Sequence, residues 1–360
     1  NPYNSTRIFC VRVAKIVLTL TTREYTFICL PRRESNARFR VWLILFAKRG
    51  IPSSWNTNIF LQMPYMTTSN NRCGIKMFGS LVTGLAFRDS DMDVYVELPP
   101  HCRGRDTDQY LIEIMAYVAH RDSNFEYVFA AHLAKVPVIT FKHVESNRNC
   151  DITFTGSVAV KTSKLIKFLL RLDSRAFKLA WLIKYWSKLY KLTATKRLSN
   201  YAVTLLVVFF LQQKEILPSV ATLQKNISLN DTEGWNTAFK HVKCEYRDEY
   251  SLYHLLGDFF LYYSTFNFKD FVVCSYLGYP VKKQKFLNPL LLPDEFKLYK
   301  ARVRRGDESF RLTTSLCVQD PFEHNKNCTI NVDDILAWYV NVCFNNALEP
   351  TTRSRILRSK

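Results

Sequence analysis

No stretch of this chain reaches the roughly 18 consecutive apolar residues that a membrane-spanning helix needs. The longest apolar run, residues 201–211, has the length of a buried core helix. The cysteines include no C-x-x-C pair. Their scatter (Cys10, Cys29, Cys73, Cys102, Cys150, Cys244, Cys274, Cys317, Cys328, Cys343) fits no zinc pattern. They read as reduced, mostly buried thiols of an intracellular, cytoplasmic protein. No signal-peptide pattern opens the chain and no initiator Met is present, so it reads as a fragment whose own N-terminus lies upstream of Asn1. Internal repeats and low-complexity segments are missing too. Acidic side chains are in short supply: 31 Asp plus Glu stand against 50 Lys plus Arg, a net charge of +19. That balance points to polyanionic partners, nucleic acid before membrane surface. What is present in quantity is core-forming material, 48% hydrophobic and 14% aromatic, which excludes a disordered chain. At 360 residues it is long enough for two domains.

The segment 78–97, FGSLVTGLAFRDSDMDVYVE, carries the first chemistry. Asp91 and Asp93 stand at i and i+2 in an alternating run, and on a strand such residues project from one face. The alternation predicts Met92, Val94 and Val96 on one side, with Asp91, Asp93 and Tyr95 on the other. Two carboxylates aimed at one point repel unless a cation lies between them, and Mg²⁺ is held by one or two carboxylates completed by substrate phosphates. Eleven residues earlier, Gly79-Ser80 would begin a turn and helix able to cradle a phosphate. Asp-x-Asp alone is common and reads equally well as an exposed acidic strand end; the preceding Gly-Ser tips the balance toward a metal-dependent phosphoryl or nucleotidyl transfer site. These residues resemble the nucleotidyltransferase superfamily of the DNA polymerase β type, which uses a third Asp on a neighbouring strand.

The rest of the chain supplies one. Residues 136–143 and 150–154 are β-like runs separated by turn composition at 145–149, a hairpin whose second strand carries Asp151 flanked by Ile152 and Phe154. Before the motif, residues 7–13 and 24–30 are β-like and 33–50 reads as an amphipathic helix. Residues 109–120 form a further helix, capped by Thr107 and Asp108, with Tyr110, Ile114, Tyr117 and Val118 on one face. From residue 163 the period changes to about 3.6. Helices are expected at 165–172, 176–192, 200–213, 251–263 and 333–345. The resulting division is a β-like extension (1–34), a helix packing on the helical half (35–60), a catalytic domain (61–162), a helical domain (163–350) and a disordered basic tail (351–360).

The helical half carries a second constellation. Lys184 and Lys188 lie one turn apart on a helix, Ser199 or Asn200 opens the next helix with Tyr201 in its first turn, and the stretch 317–327 reads CVQDPFEHNKN. Each alone has a plain structural reading: a solvated basic face, a cap, a polar turn. Taken in order, these blocks resemble the terminal uridylyltransferases and cytoplasmic poly(A) polymerases, over about residues 40–350. The resemblance implies an α+β protein, a mixed-sheet nucleotidyltransferase domain plus a helical poly(A)-polymerase-associated domain, with the active site in the cleft between them. It implies Asp91, Asp93 and Asp151 as catalytic and metal-binding residues for Mg²⁺ or Mn²⁺. It further implies Phe78, Gly79, Ser80, Lys184, Lys188, Asn200, Tyr201, Asp320, Glu323 and Lys326 as the nucleotide-binding set. Tyr201 would stack on the base. Many uridylyltransferases have a His three residues after Glu323 that selects uracil; here Lys326 stands there and His324 two residues earlier. Where relatives have an Asn after the third Asp, this chain has Thr155 and Gly156.

The activity so implied is template-independent addition of uridines from UTP to RNA 3′ ends in RNA processing or decay. The substrate end is single-stranded or a short overhang, including that of small-RNA precursor hairpins. Adenylyl transfer from ATP is the alternative, and a catalytically silent RNA-binding relative the more distant one. RNA contacts are expected among Lys282, Lys283, Lys285, Arg302, Arg304 and Arg305, with Arg353, Arg355, Arg358 and Lys360 of the tail.

Overall fold

The computed structural model describes residues 74–97, 123–243 apart from 135, 145 and 195, and 250–358. It also describes the short strands Thr21–Thr22 (β1), Tyr25–Thr26 (β2) and Phe46–Ala47 (β3), and positions 108, 112, 116, 119 and 120. Two compact units emerge, residues 1–160 and 161–360. β2 pairs antiparallel with both β1 and β3. Phe46–Ala47 was expected inside a helix; an unbroken apolar run does not distinguish strand from helix by period, and Phe suits a pleated surface. The rest of 33–50, and the run 7–13, lie outside the described residues.

In the first unit, Gly74–Phe78 (β4), Met92–Glu97 (β5), Phe125–Ala131 (β6), Val138–His143 (β7) and Arg148–Thr153 (β8) form one mixed sheet in the order β4-β5-β8-β7-β6. β5 is antiparallel to β4 and parallel to β8. Tyr95 is buried along with Val94 and Val96, where alternation alone put it on the polar face; this part of β5 is covered on both faces of the sheet. The one-turn helix Gly79–Thr83 (α1) follows β4 and stops at Gly84 in the left-handed conformation. β7 and β8 form the expected hairpin, turning through Asn147 at φ +53°, a conformation Asn tolerates. The hairpin's second strand begins at Arg148, so Asn149, expected in the turn, is a strand residue. Positions 108, 112, 116 and 119 are helical and buried, which puts Asp108 inside the helix rather than at its cap. The face expected there, at 110, 114, 117 and 118, lies outside the described residues.

The second unit is built on helices Ser157–Leu172 (α2, which crosses the unit boundary), Ser174–Leu189 (α3), Asn200–Gln213 (α4), Val220–Gln224 (α5), Leu252–Thr265 (α6), Lys283–Leu287 (α7), Lys297–Arg304 (α8) and Asp334–Arg358 (α9). α4 is apolar all round and is buried from Ala202 to Gln212, as a helix without a polar face must be. Its Phe210 meets Phe259 of α6 edge to face, Tyr263 of α6 stacks in turn on Phe344 of α9, and the Tyr263 hydroxyl donates to the Leu206 carbonyl at 2.7 Å. Asp231–Thr232 (β9) and Trp235–Asn236 (β10) make a small hairpin. Phe271–Cys274 (β11) pairs antiparallel with Val281–Lys282 (β12) and parallel with Val318–Gln319 (β13). α9 continues to Arg358, so residues 351–358, expected as a disordered tail, have helical backbone; Arg and Leu are good helix formers.

Asp173 caps α3 through Arg175 N–H (2.7 Å), and the Arg175 guanidinium returns to the same carboxylate at 2.6 Å while donating to the Tyr250 carbonyl at 2.7 Å. Both side chains are buried. Removing one partner of such a pair strands the other charge, so Arg175→Ala is expected to lower unfolding free energy by about 3–5 kcal/mol, measured as a shift in urea midpoint.

Candidate active site

Register builds the first half of the site. β4 and β5 pair so that Phe78 faces Asp93, which brings the following Gly79 against that carboxylate. Gly79 has φ +69°, and a Cβ there would fall 2.0 Å from Asp93 Oδ2. Only glycine fits, by backbone conformation and by space. On the other side of β5, the parallel register sets Asp93 directly beside Asp151. Asp91, just before β5, accepts a hydrogen bond from Asn149 Nδ2 at 3.0 Å. Asn149 and Asp151 are i and i+2 on β8, so they share a face and meet Asp91 and Asp93 in turn. Asn149 was missed by the sequence reading; its i+2 spacing from Asp151 is the signal that could have found it.

The electrostatics agree with the register. Burial, and then the Asp91 charge, push the Asp151 carboxyl up to about 6. The Cys150 thiol on the opposite face is pushed up strongly, by burial first and then by Asp151, Asp93 and Asp91. One thiol feels all three carboxylates, so the three are near neighbours. Among the described residues, no three His, Cys, Asp or Glu side chains are already arranged as a metal cage. The donor set nevertheless fits a hard divalent cation: all-oxygen, anionic, crowded enough that the Asp91 charge adds to the proton affinity of Asp151, and lacking the soft ligands zinc prefers. Beside it, α1 opens at Gly79 with Phe78 at the cap position making no side-chain cap, and Ser80 lies in the first turn, half-buried.

The second unit carries the other predicted residues. Ser199, not Asn200, caps α4, its hydroxyl accepting from Ala202 N–H at 3.0 Å, which leaves Asn200 as an exposed first helical residue. Tyr201 donates its hydroxyl to Asp320 Oδ2 at 3.0 Å. Burial and the Asp320 charge hold the phenol far above its ordinary value, so it remains a donor. Asp320 is buried directly after β13, and its Oδ1 accepts from the N–H groups of Phe322 and Glu323 at 2.9 and 3.0 Å. The loop closes on itself through Asp320 N–H to the Lys326 carbonyl and Lys326 N–H to the Glu323 carbonyl. The half-exposed Lys326 ammonium lies 2.6 Å from Glu323 Oε2 and 3.8 Å from Asp320 Oδ2. Tyr201, Asp320, Glu323 and Lys326 are therefore one network. On α3, Lys184 is buried and Lys188 exposed.

Two of the residues expected at RNA have structural partners instead. Lys283 donates to the Thr314 and Ser315 carbonyls at 3.1 and 2.8 Å. Arg302 lies 4.4 Å over the Trp235 ring and donates to the Gly234 carbonyl at 2.8 Å, locking the β9–β10 turn. Lys282, Lys285, Arg304 and Arg305 are exposed.

His324 is packed among aromatic rings. It is buried against the rings of Tyr276 (4.1 Å), Phe296 (5.0 Å) and Trp235 (5.5 Å), and its Nδ1 has no hydrogen-bond partner among the described residues.

Comparison with known proteins finds two family models. Residues 57–171 match "Poly(A) RNA polymerase, mitochondrial-like, central palm domain" and residues 251–326 match "Cid1 family poly A polymerase". The chain is 27% identical over 263 residues to the speckle targeted PIP5K1A-regulated poly(A) polymerase of Xenopus tropicalis, covering 69% of this chain and 29% of that protein. It is 25% identical over 304 residues to human terminal uridylyltransferase 4, covering 80% of this chain and 17% of the relative. The chain thus spans less than a third of the length of either relative. The crystal structure of mtPAP with ATPγS superposes with a TM-score of 0.64 at 22% identity, covering 79% of this chain and 62% of that one. The fold is that of the nucleotidyltransferases.

Burial lowers the His324 imidazole to about 3. The unfolded chain therefore binds the extra proton between pH 6.5 and 3, and stability is full above pH 6.5 and declines as pH falls below it. His324→Phe is expected to remove about 2 kcal/mol of the stability difference between pH 7 and pH 5, checked by urea denaturation of wild type and variant at both pH values.

Proposed function

The chain belongs to the family of Cid1-type poly(A) polymerases and terminal uridylyltransferases, and from that premise we propose that it is a template-independent RNA 3′-terminal nucleotidyltransferase using UTP. The observation that carries the transferase reading is Asp93 and Asp151 side by side on adjacent parallel strands, with Asp91 held by Asn149 and Gly79 pressed to Asp93. In the reaction, the RNA 3′-hydroxyl oxygen bonds to the α-phosphorus of the nucleoside triphosphate and pyrophosphate leaves. Asp91, Asp93 and Asp151 would hold Mg²⁺, which when bound supplies Lewis-acid polarisation of the phosphoryl oxygens and lowers the pKa of the attacking hydroxyl. Asp151 is suited to accept or orient the hydroxyl proton. Gly79 and Ser80 would meet the phosphates, and Lys184 and Lys188 would offset charge on the departing pyrophosphate. Tyr201, its hydroxyl tied to Asp320, would present its ring to the base.

The base preference rests on Lys326. An ammonium group has three donors and no acceptor. Uracil offers a carbonyl oxygen at the edge where adenine offers an amino group, so a lysine held by Glu323 and Asp320 favours uracil and leaves the adenine amino group unpaired. Similarity both to a poly(A) polymerase and to a terminal uridylyltransferase makes ATP the competing outcome. Extension of a labelled short RNA with each of the four triphosphates and Mg²⁺ tests this. UTP is expected to be used at least about tenfold more efficiently than ATP, with Lys326→Ala losing most of that margin. Preferential use of ATP would overturn the base assignment, and no extension with any triphosphate would overturn the transferase reading.

A further inference from the structure

Helix α9 turns two apolar faces in opposite directions. Val340, Cys343 and Phe344 are buried, with Phe344 against Trp186, Phe259 and Tyr263. One turn earlier, Ile335, Trp338 and Tyr339 are 78%, 66% and 36% exposed. Their i, i+3, i+4 spacing places them on one face. A single exposed apolar residue is ordinary, but an outward Trp beside an outward Ile and Tyr marks a recognition surface.

That face continues onto the end of α3. The Tyr339 hydroxyl donates to the Tyr190 carbonyl at 3.3 Å, and Leu189 and Tyr190 are themselves 61% and 39% exposed. The connection that follows, residues 191–198, is rich in exposed cations: Lys191, Lys196 and Arg197. Its shape is set internally, by Arg197 Nη1 to the Lys191 carbonyl at 2.6 Å and by Leu198 N–H to the Leu192 carbonyl at 3.2 Å. The neighbouring acids do not offset these charges at the rings: Asp333 accepts from Leu336 N–H at 2.7 Å and Asp334 from the Ser315 hydroxyl. The result is exposed aromatic rings bordered by cations. Single-stranded nucleic acid is held by that combination, bases stacking on rings while cations meet phosphates.

We propose that Tyr190, Trp338, Tyr339 and Arg197 form a stacking platform for single-stranded RNA. It rests on the reading of the chain as an RNA 3′-end transferase and adds a binding surface outside the catalytic and nucleotide-holding residues. Stacking tolerates any base, so the platform supplies affinity and not sequence choice.

The test is fluorescence anisotropy of a labelled oligouridylate of about 20 nucleotides with the full chain, beside triphosphate kinetics on a primer of about 5 nucleotides. Trp338→Ala is expected to weaken binding of the longer RNA roughly tenfold, with Trp338→Phe retaining most of it and KM for the triphosphate unchanged. Arg197→Ala is expected to reduce the slope of log affinity against log salt by about 0.7. RNA affinity within twofold of wild type for Trp338→Ala overturns the proposal. So does a wild-type dimer, seen by light scattering, that Trp338→Ala converts to monomers with RNA affinity intact, because the face is then a protein interface. Trp338-dependent RNA binding without any extension would support the platform while refuting the transferase reading.

Discussion

Strand β5 is hydrogen-bonded on both sides, and the two registers meet at Asp93. The antiparallel pairing brings the Gly79 turn against its carboxylate; the parallel pairing sets Asp151 beside it. Neither neighbour is adjustable by one residue. A slip by one would turn every β5 side chain to the opposite face, driving the carboxylates into the apolar side where Val94 and Val96 are buried. The apolar side of the strand therefore fixes the carboxylate side. The core on the other face holds the strands in place while the carboxylates crowd together, and Asp151's raised proton affinity reflects its burial first and the Asp91 charge second.

The second unit uses the same device in another form. The buried β13 ends at Asp320, whose carboxylate is fully employed: two backbone N–H groups on one oxygen, the Tyr201 hydroxyl on the other. A buried carboxylate so satisfied fixes the rotamer of Tyr201 and the path of the loop to Lys326 together. An aromatic ring and a cation are thus presented in one fixed relation, which is what discrimination by hydrogen bonding requires.

Much of this was legible in the sequence because the relevant signals are local. Gly-Ser followed by Asp-x-Asp, an isolated Asp151 between apolar residues, and Lys184, Tyr201 and Asp320 in order can each be recognised from a short stretch of chain. What was not legible depends on partners distant in sequence. Asn149 reads as turn composition until β5 lies beside β8. His324 reads as a polar loop residue until Tyr276, Phe296 and Trp235 surround it. Lys283 and Arg302 read as surface cations until their carbonyl partners arrive. Phe46–Ala47 and residues 351–358 failed differently, since neither an unbroken apolar run nor a short basic segment carries a period that decides between helix, strand and coil.

If the β4-β5-β8 registers gather Asp91, Asp93 and Asp151 into one metal-dependent catalytic cluster, Asp151→Asn must disable it; the variant is assayed for Mg²⁺-dependent RNA extension and for thermal stability without divalent metal. Extension is expected to fall by about a thousandfold or more while the metal-free melting temperature rises, because a buried carboxylate repelled by Asp91 has been removed. Extension near the wild-type rate, or a melting temperature that falls, would contradict it.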